Sequence, residues 1–339
     1  MKKKRGVYSS LFFSLCTLHS RILRKLRKIL AYFDDSRESL SLSLSLSLSD
    51  FQNILPLFTQ LVQEELRERR ARQEKAGKVF ERRVGWGGPK WLLSTAEEQL
   101  FFILAYIRLY LTFEMMGFFW NGTSKWRVHD WVMHYLPILE ATLWRRQVLP
   151  KRKIGNIEAF IREFPDLKDF FLDGSERRIQ RPKKGKIQEK FYSGKKKTHT
   201  VKNGIIADKT KRILVLSETC EWKKHDSPIL EEMGIEDLSK VKSMLGYGDT
   251  AFVKFKEIMT PKKATKLHPL TKEDKEMNRQ ISQVRVRIEH TFSYSGWKRF
   301  CIVRDPLRCR IYGNFQTVTM NFKDSIGMIA AWLHNLALG

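Results

Sequence analysis

The chain has 339 residues, 42% of them hydrophobic, which is enough to bury a core and to form two globular parts with tails. Its 63 Lys and Arg against 37 Asp and Glu give a formal net charge of +26, so the folded chain repels itself unless a polyanion is its usual partner: nucleic acid first, an anionic membrane surface second. The four cysteines (Cys16, Cys220, Cys301, Cys309) form no CxxC pair and no zinc or disulfide spacing, as expected of reduced thiols in a cytosol, and the longest apolar run, "LFFILAYIRLYLTF", is broken by Arg108 before it could span a membrane.

The N-terminus is basic and then briefly apolar, but "MKKKRGVYSSLFFSLCTL" lacks a small-x-small cleavage site and runs into "RILRKLRKIL", which disfavours secretion. Ile22, Leu26, Ile29 and Phe33 recur at helical spacing among Arg and Lys, the pattern of a basic amphipathic helix. The following Ser/Leu repeat has the period of a strand, yet an exact dipeptide repeat resembles slippage in coding DNA more than selected structure. Residues 1–50 are therefore expected to be a low-complexity extension outside the folded part.

From Phe51 the pattern is helical: an amphipathic start, a charged run, and a stop in "GWGGPK". In "STAEEQLFFILAYIRLYLTF", Ser94 and Glu97 have capping-box spacing and Leu100, Leu104, Ile107 and Leu111 form one stripe. "TFEMMGFF" reads as a second short helix, "WNGT" as a turn, and "SKWRVHDWVMHYLPIL" as a third helix with Val128, Trp131, Val132 and Tyr135 inward and Lys125, Arg127 and His129 outward. Helix, tight turn and a helix that is basic near its start form the layout that enters a DNA major groove. A plain three-helix core with a solvated face fits the same spacing. Residues 51–150 are assigned to this all-α unit.

After Pro150 the texture changes to α+β. "DFFLD", "KTHTVKNGIIAD", "RILVLSETC" and "SMLGYGD" read as short strands, the first three as a meander, and "TKEDKEMNRQISQVRVRIEHTF" as a long helix capped by Thr271. Residues 151–339 are assigned to this second domain.

Asp173, before Gly174, is expected at the carboxyl end of the first strand, and Asp249 at the end of a later apolar run. Glu289 lies beside the helical stripe Ile281, Val284, Ile288 and Phe292. Three carboxylates from two strand ends and a facing helix suit a pair of Mg²⁺ ions, because hard cations take oxygen ligands and hold a phosphodiester between them. The plainer readings are an Asp-Gly turn and an Arg285–Glu289 ion pair at i and i+4. "SGKKKT" lacks the glycine and residue order of a phosphate-cradling loop, and His129 and His134 have the wrong spacing for one helix face. His225 and Asp226, after a strand, could assist at the cleft or simply bond to backbone.

Eleven Lys and Arg fall between Arg177 and Lys202, interleaved with Phe191 and Tyr192. Alone, this would be a solvated hairpin. Beside a metal cleft it would hold a nucleic-acid backbone without reading sequence, through Arg177, Arg178, Arg181, Lys195, Lys196 and Lys197.

Seven collinear pieces, "LSTAEEQLFFILAYIRLYLTFEMMGFF", "FLDGSERRIQRP", "YSGKKKTHTVKN", "KKHDSPIL", "GDTAF", "NRQISQVRVRIEHTF" and "LHNL", resemble the insertion-sequence DDE transposases of bacterial mobile elements, from about Phe51 to the C-terminus. The resemblance implies a helix-turn-helix for the element's terminal inverted repeats, then a ribonuclease H-like core with its triad on Asp173, Asp249 and Glu289. It further implies two Mg²⁺ or Mn²⁺ ions, strand cleavage at the element end, and transfer of the freed 3′-hydroxyl to target DNA. Also implied are a homodimer or larger synaptic complex, a cytoplasmic, nucleoid-associated location and no stable membrane association, with Arg285, His225 and Asp226 as auxiliary groups. The chain departs from the family in three places. Gly296 stands where relatives carry Lys or Arg, so the role is expected of Lys298, two residues on. Trp222 replaces a small residue before "HD" and is expected to crowd that loop, and "FFWNGTSKWRVHDW" is more aromatic than the usual turn. A catalytically inactive, decayed copy that still binds DNA is the alternative, and a peripheral membrane protein held by the basic N-terminus is a third reading.

Overall fold

Ser47 begins the first helix. Its hydroxyl accepts the Asp50 N–H while the Asp50 carboxylate accepts the Ser47 N–H, and the preceding Leu46 is buried. Helix α1 (Leu48–Lys75) therefore starts inside the Ser/Leu repeat rather than after it. The computed structural model describes residues 46–77, 93–146, 150–183, 185–241, 244–256, 258–265, 269–293, 296–308 and 316–338. The amphipathic stretch at 18–33, the "GWGGPK" stop, Cys16 and Cys309 lie outside them, whereas Cys220 and Cys301 are free thiols.

Helix α2 (Ala96–Leu109) is capped one residue later than its sequence suggests: Thr95 and Glu98 form the box, and Ser94 donates to the same Glu98 carboxylate. Every residue from Leu100 to Ile107 is buried, because α1 and the later helices cover it on several sides. Leu111 drops out of the expected stripe, since Tyr110 turns left-handed (φ 46°) and ends the helix.

Helix α3 (Phe113–Phe119) and helix α4 (Lys125–Arg145) follow, joined by a turn at 120–124. Gly117 makes that turn possible: a Cβ there would stand 1.9 Å from the Thr123 carbonyl oxygen, which folds back onto α3. Val128, Trp131, Val132 and Tyr135 are buried as the spacing requires.

Helix α5 (Ile157–Glu163) leads into the sheet, made of β1 (Asp169–Arg178), β2 (Tyr192–Ser193, after α6, Gly185–Phe191), β3 (Thr198–Asp208), β4 (Ile213–Leu216) and β5 (Cys220–Glu221). Helices α7 (Asp226–Glu232) and α8 (Ile235–Ser239) precede β6 (Leu245–Tyr247) and β7 (Ile258–Met259). Then come the long α9 (Lys272–Phe292), a 3₁₀ turn at Trp297–Arg299, α10 (Cys301–Arg304) and α11 (Gln316–Leu336). Strand β3 runs antiparallel to β1 and carries β2, β4 and β5 on its other edge, which is the expected meander elaborated; β6 and β7 add in parallel on the far side of β1.

Strand alternation gives the mixed sheet two differently covered faces. Phe170, Leu172 and Ile206 pack with Ile229, Leu230 and Leu238 of α7 and α8. Phe171, Ile205 and Ala207 face Ile288 of α9, Trp297 and Trp332 of α11, in a cluster continuous with the core of α1, α2 and α4. The N-terminal helices and the sheet thus share one hydrophobic core. Among the described residues no helix is long and apolar enough to cross a membrane.

Candidate active site

Asp173 lies mid-strand, not at a strand end: β1 continues to Arg178, paired with β3 throughout. The parallel neighbour ends earlier, however, with Phe171 opposite Tyr247. Between Leu172 and Ile179, where Leu307 bridges the same edge, no described strand pairs with β1 on its β6 side, so Asp173 stands at the carboxyl end of the parallel pair, where ligands of mixed and parallel sheets collect. Two residues past Tyr247 comes Asp249, which caps a 3₁₀ turn by accepting the Thr250 N–H (2.6 Å). Asp173 shares a face with Phe171, whose ring stacks on Tyr247 at 5.4 Å, and this is the face that α9 covers through Ile288.

Burial pushes the Asp173 carboxyl up to about 6; the Gly174 N–H (2.7 Å) and Arg285 oppose this, whereas Asp249 and Asp226 reinforce it. The folded chain therefore holds this proton between pH 4 and 6 while the unfolded chain has lost it, so the residue's contribution to stability falls as pH rises through that window. A shift of this size bounds the cost at about 3 kcal/mol, roughly halved by relaxation and water. Asp173→Asn is accordingly expected to be about 1–2 kcal/mol more stable than the parent at pH 7.5 without divalent cations, the gap closing toward pH 4. Urea unfolding at several pH values checks this, and a gap independent of pH would overturn it.

Helix α9 is capped by Thr271 in a capping box with Asp274, and Ile281 and Ile288 are buried, as its spacing predicts. Arg285 does not pair with Glu289. It reaches across to the sheet, its Nη1 3.9 Å from Asp249 Oδ1, while Glu289, one turn on, is exposed. Among the described residues no three His, Cys, Asp or Glu side chains converge closely enough to hold an ion. In kind the donors fit a hard divalent cation: two oxygen ligands whose charges repel, one buried enough to raise its carboxyl to about 6. Arg285 supplies the positive charge between them and the helix.

Asp226 belongs to the opposite face of β1. Its carboxylate sits where a Gly174 side chain would be, 3.1 Å from an ideal Cβ, and accepts a hydrogen bond from Lys202 Nζ (3.0 Å). In this loop the Lys202 ammonium lies 5.5 Å from the Trp222 ring centroid, an attractive cation–π arrangement. His225 starts α7 without a side-chain capping bond and is exposed.

The basic segment divides. Arg177 is not a surface cation: it is buried, donating to Asn203 Oδ1 (3.1 and 2.9 Å), Thr219 Oγ1 (2.7 Å) and the Lys323 carbonyl (2.9 Å), over the Trp297 ring. Strand alternation explains the misassignment, since Arg177 lies on the face covered by Trp297 and α11. Phe191 is buried too, whereas Tyr192, Arg178, Arg181, Lys195 and Lys197 are exposed. Lys196 pairs with Glu176 (3.8 Å). Lys298 comes close to the same group: burial and then Lys196 lower its pKa, while Asp173 and Glu176 raise it. Gly296 could not take this part, because a Cβ there would lie 2.1 Å from the Thr291 carbonyl oxygen at the end of α9. In the helical unit Lys125, Arg127 and His129 are exposed, Lys125 paired with Glu114 at 3.1 Å and the His129 ring edge-on to Phe113. Sequence reasoning missed Glu176, Trp297 and Asp324, which binds Arg152 and Thr219; each gains its role through contacts between distant segments.

A mixed α+β sheet carrying two coupled aspartates beneath a long helix, with lysines at the open edge, defines an acidic site in a strongly basic protein. The family model for the DDE superfamily endonucleases matches residues 172–335, a span that includes Asp173, Asp249 and Glu289 and excludes the N-terminal helices. A probable transposase for insertion sequence element IS702 from Microchaete diplosiphon is 33% identical over 199 residues, covering 57% of this chain and 67% of that protein. Comparison with solved structures gives no match. The chain belongs to the insertion-sequence DDE transposase family.

Proposed function

We propose that this protein is a DNA transposase with a ribonuclease H-like core that cuts the ends of an insertion sequence and joins them to target DNA, using Mg²⁺ or Mn²⁺ held by Asp173, Asp249 and Glu289. The observation that carries this reading is that Asp173 and Asp249 lie within electrostatic reach of one another at the carboxyl end of the β1–β6 parallel pair, with Lys298 and Lys196 within the same reach of Asp173. When bound, the divalent ions supply the charge that activates water or a 3′-hydroxyl and stabilises the leaving oxygen. The residues around them position the backbone: Lys298 beside Asp173 meets the phosphate next to the cut, and Arg178, Arg181, Lys195 and Lys197 neutralise its neighbours. Helices α3 and α4 act as the helix-turn-helix for the terminal repeats, with Arg127 the least encumbered of its three outward groups and Trp126 exposed beside it. Two or more copies act together, one on each element end.

The test is a labelled DNA carrying the element's end, incubated with the full chain and Mg²⁺. A nick at the element boundary is expected, and retention of the DNA without any nick would favour an inactive binding protein. Lys195→Ala with Lys196→Ala is expected to weaken binding to all sequences alike and to flatten the dependence of log affinity on log salt by about one unit. That is less than two full contacts would give, because Glu176 already occupies Lys196. An unchanged slope would refute the backbone role.

A further inference from the structure

We propose that Arg285 is a built-in counter-cation that keeps Asp249 beside Asp173 in the metal-free protein and competes with divalent cations for that position. The inference rests on the reading of Asp173 and Asp249 as a metal site. Three features of Arg285 carry it.

The first is direction. At four residues before Glu289 it lies on nearly the same face of α9, about 6 Å along the helix axis, yet it turns toward the sheet while Glu289 is exposed. The second is burial. The Arg285 side chain is only 14% exposed, against 51% for Asp249, so its charge is placed in the cleft and not in solvent. The third is incomplete satisfaction. Nη1 approaches Asp249 Oδ1 at 3.9 Å, the outer limit of an ion pair, and the buried Nε has no hydrogen-bond partner. Contrast Arg177, whose Nε, Nη1 and Nη2 all donate. Arg108 and Arg299 also leave a buried Nε unbonded but donate to backbone carbonyls, whereas Arg285 meets a carboxylate through one long contact that a competing cation can replace.

The groups facing Arg285 agree with this role. Asp249 comes from the segment after β6 and Asp173 from β1, and Arg285 offsets the repulsion between their charges. A cation bound by both aspartates needs the same electrostatic position, so its entry and the Arg285–Asp249 pair exclude one another. Glu289, on the same helix face, is then the acidic group nearest to the vacated position along α9. In the absence of metal the pair would lower the chain's affinity for the ion and keep the two aspartates together.

The experiment measures Mn²⁺ alone binding to the full chain, by calorimetry and by loss of the free-ion electron paramagnetic resonance signal. Arg285→Ala is expected to bind Mn²⁺ about fivefold more tightly than the parent, and Arg285→Lys, which keeps the charge, to lie close to the parent. Arg285→Met retains the apolar stem and replaces the Ala variant should that variant not fold. Asp249→Asn serves as the reference. If the parent binds Mn²⁺ and Asp249→Asn does not, the metal-site reading stands; unchanged or weaker binding by the Ala or Met variant then overturns the competition alone. If parent and Asp249→Asn bind equally, the site reading itself fails and the inference with it.

Discussion

Asp249→Asn is expected to lower nicking of the element end by at least about a thousandfold while leaving retention of the same DNA within about twofold. The substitution removes one negative charge and one hard oxygen ligand, and with the charge the ion pair to Arg285. Asn caps a helical turn as well as Asp does, so the bond from the Thr250 N–H survives, and the side chain is half exposed, with no packing to lose. A loss of several kcal/mol in transition-state stabilisation corresponds to the stated factor. On the proposed reading DNA retention depends instead on cations spread over the β2–β3 hairpin, the Lys298 turn and the helical unit, none of which contacts Asp249 through a described bond. Gel retention and nicking on one labelled substrate measure both quantities. Nicking within tenfold of the parent would put the chemistry elsewhere in the fold.

Arg177→Ala is expected to destabilise the protein by about 3–5 kcal/mol, read as a shift of the urea midpoint. Three oxygens, on Asn203, Thr219 and Lys323, lose their buried donor, and the Trp297 ring loses the plane against which it packs. Burial already lowers the Arg177 pKa to about 10, with Asp324 opposing from behind Thr219. Arg177→Met, which refills the space without the donors, is expected to lie between the parent and the Ala variant. The opposite result is equally definite: an unchanged midpoint with weaker, less salt-dependent DNA binding would make Arg177 a surface phosphate contact, as its place in the basic run suggests.

Arg177 also shows where reading along the chain stops. A run of cations has one sign whatever the fold does with it, but a strand sends alternate residues to opposite faces. Arg178 therefore reaches solvent while Arg177 goes under Trp297. The same alternation sets Phe170 and Phe171 on opposite faces and Asp173 on the side of Phe171, although Asp173 lies mid-strand and not at the strand end expected from the sequence. The helix periodicities of α4 and α9 were legible for a similar reason: their buried and exposed residues repeat within one element, with no information needed from elsewhere. Capping was legible only to within a residue, since Ser94 and Thr95 both precede a glutamate at workable distance and the choice depends on how the chain enters the core.

By itself the sequence determined the α+β class, the helical N-terminal unit, the strands and long helix of the second part, and the acidic residues set against a large positive charge. Those features depend on local periodicity, turn chemistry and composition, which neighbouring residues carry between them. Only the tertiary structure decided that β6 stops short of Asp173 and leaves that stretch of its edge unpaired, that Arg285 turns to Asp249 and not to Glu289, and that a side chain at 296 would strike the end of α9. Each of these depends on a meeting of segments tens of residues apart or on the steric limit at a helix end, and distance along the chain carries no record of either.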